Sequence, residues 1–168
     1  MKPSYISLAL LAVCAGQVGA EPAVYQDEAL SINEAVVIRG NGSTYFKNVR
    51  FEPNANGTWR FVDASQRPLV SIDEISVVSE ATVPARVEVT VEGHKSVPCV
   101  ELEPLGMSRS SDTFHVVIAE TEMGPADSCI AMLAPFTHTF ELDTFGLEPG
   151  AYKLNVNGME TEFDLLMP

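Results

Sequence analysis

Imidazole, thiol, thioether and carboxylate side chains are the groups in this sequence able to attack a substrate, move a proton or hold a metal. His94, His115 and His138 could, with its many Ser and Asp residues, furnish a Ser–His–Asp triad assembled from distant segments. No G-x-S-x-G, H-E-x-x-H, phosphate-cradling glycine loop or EF-hand pattern accompanies them. Met107, Met123, Met132 and Met159 raise a copper-carrier reading with the histidines, because thioether and imidazole ligands suit that metal, but they lack Met-x-x-Met or His-rich clustering. Glu101 with Glu103, Glu141 with Asp143 and Glu160 with Glu162 stand two apart, which on a strand places each pair on one face, about 6.6 to 7 Å apart. Such pairs can serve as acid and base or hold a hard cation. They are also what a solvated strand face looks like, and that is the expectation, with no catalytic residue, cofactor or metal assigned.

The elements that must position these residues read as strands. Residues 86–92 alternate apolar and polar without a break, the period of a strand with one buried and one wet face. Residues 136–143 place His138 on the face of Phe136, Phe140 and Leu142, so His138 is expected to be partly buried. In residues 113–120, His115 falls opposite Phe114, Val116 and Ile118 on the solvent side, and His94 falls in a turn before Cys99. Strands near 71–79, 84–92, 99–105, 113–120, 136–143, 151–157 and 159–166 suit an immunoglobulin-like antiparallel β-sandwich over residues 71–168. Asn157-Gly158 predicts a type I′ hairpin that pairs Val156 with Met159, Leu154 with Thr161 and Tyr152 with Phe163. Ahead of the sandwich, residues 21–70 hold strand candidates near 35–39, 44–51 and 58–62, a small three-stranded β-meander with residues 63–68 as connector. Asn41-Gly42-Ser43 and Asn56-Gly57-Thr58 fit the N-glycosylation pattern but read as turns.

Residues 1–20 read as a signal peptide: Lys2, an apolar run from Ile6 to Val13, and small residues before Glu21. A lipid anchor on Cys14 is the competing reading, opposed by Val13, where lipid-modifying enzymes want a small side chain. Cleavage would leave Cys99 and Cys129, an even pair in an exported chain, and these are expected to form a disulfide. No later segment is long and apolar enough for a transmembrane helix.

The chain has 168 residues and a formal net charge of −13. With 10 Lys and Arg against 23 Asp and Glu, a nucleic-acid partner is excluded, since phosphate neutralisation needs clustered cations. Acid is unevenly placed: residues 21–70 carry five basic and six acidic groups, residues 71–168 four and seventeen. The sandwich should attract cationic partners, a basic protein or peptide, unless the charge serves only solubility.

Cys99, Cys129, Ala134-Pro135-Phe136, Leu142-Asp143, Gly146-Leu147-Glu148-Pro149-Gly150-Ala151-Tyr152 and Val156-Asn157-Gly158 together resemble a group of uncharacterised bacterial exported proteins and lipoproteins, over about residues 70–166. The resemblance implies an envelope protein, periplasmic or secreted, or alternatively an outer-membrane lipoprotein, with a β-sandwich and no known activity. Its Leu-x-Pro-Gly-x-Tyr part also looks like the corner of immunoglobulin-like modules, in which the Tyr hydroxyl bonds nearby backbone. The expected function is a non-catalytic binding or interaction module. A protease-inhibitor-like module presenting residues 106–112 and 121–128 is the first alternative, and a periplasmic copper carrier the second.

Overall fold

The computed structural model describes residues 22–40, 42–125 and 127–166. The signal segment and Cys14 therefore lie outside the described residues, as does Asn41. Eleven strands form among them: β1 (Val24–Gln26), β2 (Ala29–Arg39), β3 (Gly42–Pro53), β4 (Trp59–Arg67), β5 (Ser71–Glu80), β6 (Arg86–Lys95), β7 (Gly106–Ser110), β8 (Thr113–Val117), β9 (Ala134–Glu141), β10 (Gly150–Val156) and β11 (Met159–Leu165).

Alternation at β6 sets the sandwich. Val87, Val89 and Val91 are fully buried while Glu88, Thr90 and Glu92 sit on the opposite face. β6 pairs with β5 on one side and β9 on the other, and the resulting sheet faces a second one ordered β11-β10-β8-β7. The three valines pack against Phe114 and Val116 of β8 and Leu154 and Val156 of β10. Each side chain so buried contributes roughly 1.5 to 3 kcal/mol of apolar transfer, which makes this layer the main source of stability.

The expected β-sandwich is thus present, with three corrections of detail. First, β8 and β10 run parallel, Leu154 opposite Phe114, so the second sheet is not wholly antiparallel. Second, residues 99–105 make no strand; Leu102 forms a single bridge to Glu120, and Pro98 and Pro104, without amide hydrogens, bracket the segment. The strand forms instead at β7, an edge with exposed side chains whose sequence therefore lacks the alternation that burial imposes. Third, the N-terminal sheet has four strands, order β1-β2-β3-β4. The short, exposed β1 pairs with β2 through a turn in which Asp27 and Glu28 both have positive φ. β4 extends through most of the expected connector because its end docks on the sandwich.

The final hairpin has the expected register, Val156 with Met159, Leu154 with Thr161 and Tyr152 with Phe163. Asn157 and Gly158 take φ of 50° and 96°, as a type I′ turn needs. The Asn157 side chain reaches further than a turn requires. Its Nδ2 donates to the carbonyls of Val70 (3.0 Å) and Ile118 (2.8 Å), and its Oδ1 accepts from the Ile118 amide (3.0 Å). It joins the hairpin tip to the point where the N-terminal sheet enters the sandwich. Tyr152 makes the corner bond, its hydroxyl donating to the Glu148 carbonyl at 2.8 Å.

Candidate functional site

Two sheet edges leave the sandwich open on one side. β9 is the outer strand of its sheet and β7 the outer strand of the other. Between them lies a groove of about 1300 Å³ lined by residues 82–86, 102–105, Met107 and residues 138–145. Leu102, Leu105, Phe140 and Leu142 contribute apolar side chains to it, and Val83 and Phe145 stand exposed at its rim, Phe145 84% so. Acid lines it too. Glu141 pairs with Arg86, which also lies 3.7 Å from Glu88, and the Asp143 carboxylate accepts from the Phe145 amide at 3.1 Å.

The main chain of β9 is half used. The Leu142 amide donates to the Val87 carbonyl at 3.0 Å, which makes residues 87 and 142 a hydrogen-bonded pair of the antiparallel ladder. By alternation Phe136, His138 and Phe140 also turn their main-chain groups to β6. Thr137, Thr139 and Glu141 turn theirs outward, and among the described residues no strand pairs with that edge. Side-chain geometry agrees: Thr90 and Thr139, a pair of the other kind with closer side chains, have hydroxyls 3.0 Å apart.

The sequence-selected residues distribute unevenly around this site. His138 is half-buried as expected, its ring 6.1 Å from that of Phe140, and it lines the groove together with Met107. His115 is half-buried on β8, opposite Asn155. His94 lies within β6, one residue before its end, rather than in a turn, and its Nδ1 meets Asp73 Oδ2 at 2.5 Å. Among the described residues no three His, Cys, Asp or Glu side chains group as a metal site. Cys99 and Cys129 are bonded.

Of the three carboxylate pairs, only Glu101 and Glu103 separate. Glu101 is exposed whereas Glu103 is buried, because their segment is not a strand. Glu103 accepts from Lys47 Nζ (3.1 Å) and Arg67 Nε (2.9 Å), and Lys47 also meets Glu34 at 3.1 Å. This network holds the N-terminal sheet to the sandwich and is structural. Tyr45 beside it is fully buried against Val117 and Ala119, and among the described residues no group meets its hydroxyl in full hydrogen-bond geometry. Burial first, then the nearby Glu34 and Glu103 carboxylates, push its ionisation well above the ordinary tyrosine range. Burial works against the Lys47 ammonium, but hydrogen bonds to Glu34 and Glu103 outweigh it and raise its pKa. Glu141 and Asp143 both remain exposed at the groove, while Glu160 and Glu162 lie on β11, facing Asn155 and Lys153.

The loops considered for protease inhibition also diverge. Residues 106–112 are not a loop but β7 and the tight turn into β8. Of the residues 121–128, those described (121–125 and 127–128) form no strand, and the Gly124 amide donates to Asp127 Oδ2 (2.6 Å).

The second exposed apolar surface is an aromatic row that strand reading missed, since register creates it. Tyr25, Leu30, Phe51 and Phe61 stand side by side across β1 to β4. Trp59 meets Tyr25 edge-on at 5.9 Å.

Residues 89–165 match the family model described as the ORF11 β-sandwich domain. No curated protein and no solved structure matches the chain. The matched stretch begins within β6 and ends with β11, so it takes in both edges of the groove and stops short of the N-terminal sheet. Over that stretch the chain is similar to the ORF11 β-sandwich domain, and the fold is an all-β sandwich.

Proposed function

We propose that this protein is a non-catalytic interaction module of the bacterial cell envelope, exported to the periplasm or beyond, and that the groove between β7 and β9 is its binding surface. The observation that carries the reading is the groove itself, a concavity with apolar side chains, an acidic rim and an open strand edge. Binding surfaces are concave and mostly apolar with a few polar groups that orient the ligand. The bond between Cys99 and Cys129 supports export, because disulfides persist in oxidising compartments. Acid at the rim favours a basic protein or peptide.

The reading is tested by capture from envelope extracts with the full chain and three variants. Met107→Arg and Phe145→Ala, both at the groove, should each reduce recovery of a captured partner. Trp59→Ala, on the N-terminal sheet, should leave it unchanged. Loss with Trp59→Ala alone would move the binding surface to the aromatic row and overturn the assignment.

A further inference from the structure

An open strand edge beside an apolar groove specifies more than a generic binding surface. From Pro135 to Glu141 the edge extends about 20 Å at about 3.4 Å per residue. Thr137, Thr139 and Glu141 offer outward amide hydrogens and carbonyls along it, whereas Pro135 offers a carbonyl only. A polypeptide laid against this edge would pair its main chain with those groups whatever its sequence.

Its side chains are constrained by the same pleat. Residues opposite His138 and Phe140 would point to the interior side, into the apolar lining with Leu105 and Leu142, and would have to be apolar. Those opposite Thr139 and Glu141 would point to solvent beside Glu141 and Asp143. Glu103, the remaining carboxylate of the lining, is already committed to Lys47 and Arg67. Arg86, the cation among the lining residues, is committed to Glu141 and Glu88.

Building on the groove as binding surface, we infer that its occupant is an extended segment of another protein, added as a strand to β9, with apolar residues alternating with Lys or Arg. A second copy of this chain is disfavoured. Edge-to-edge pairing of two β9 strands would bring together two sandwich regions that each carry seventeen acidic and four basic groups.

The experiment uses the full chain and a short synthetic peptide of alternating valine and lysine, with amide exchange followed by NMR. Peptide binding should slow exchange at Thr137, Thr139 and Glu141 by at least about tenfold and leave Phe136, His138 and Phe140 as they were. N-methylating the peptide residues whose amides face β9 should abolish binding, while methylating the intervening residues should not. A peptide with the lysines replaced by glutamates should bind at least about tenfold more weakly at low salt. Binding that leaves the three outward amides unprotected, or that ignores N-methylation, overturns strand addition while leaving the groove as the binding surface. Failure of the peptide to bind, or protection that appears without peptide as protein concentration rises, also overturns it. The groove assignment itself stands or falls on the capture variants.

Discussion

Asn157 shows how much one residue can hide from sequence reading. Its place before Gly158 marks a turn, and the turn forms, yet its side chain also makes three hydrogen bonds to Val70 and Ile118. Local spacing cannot reveal partners 87 and 39 residues away. Asn157→Gly separates the two roles, since glycine keeps the positive φ and loses the bonds. It should cost about 2 to 4 kcal/mol in urea unfolding, through lost bonds and unsatisfied groups; a loss within about 0.5 kcal/mol, the range of ordinary surface changes, would mean the side chain matters only to the turn. Tyr45 and Lys47 were not selected from sequence at all, because their importance comes from burial at a junction. Both pKa values are raised in the folded state, so their contribution is complete below the ordinary values of 10.0 and 10.5 and is lost as pH rises through the folded ones. Stability should therefore fall above about pH 10, and Tyr45→Phe should make the fall shallower. Denaturant midpoints measured across alkaline pH decide this, and identical slopes in both proteins would contradict it.

At the scale of elements, strands with one buried face were legible, edge strands β9 and β11 included, and strands exposed on both faces were not. β6, β9, β10 and β11 alternate because half their side chains are in the core. β7 and β1 have exposed side chains almost throughout, so hydrophobic pattern carries no trace of them. The groove was illegible for the same reason: it is defined by what two edges leave unpaired. Close approach between strands is a further element-level constraint. A Cβ on Gly93 would lie 2.1 Å from the Ser71 carbonyl oxygen and 3.0 Å from the Phe136 ring, at the shift in register between β5 and β6. Gly93→Ala should cost about 2 to 3 kcal/mol as backbone and ring move apart. Unchanged unfolding would show that the β5–β6 bulge relaxes freely.

Over the whole molecule, charge divides the chain as its sequence indicates, but charge alone does not mark the surface available to partners. Glu103 belongs to the acidic sandwich and yet spends its charge internally, on Lys47 and Arg67 of the N-terminal sheet. Reversing it would unfasten the two sheets rather than probe an external partner, so Glu141 and Asp143 are the informative positions. What the molecule offers outward is an apolar groove beside the outer edge of β9, which no strand pairs among the described residues, and the proposed function depends on that edge being open in the free protein. Amide exchange of the free, monomeric full chain measures this directly. Along β9, Thr137, Thr139 and Glu141 should exchange at least about tenfold faster than Phe136, His138 and Phe140, whose amides are tied to β6. Uniformly slow exchange along β9 would show that the edge is already covered, and would contradict the account.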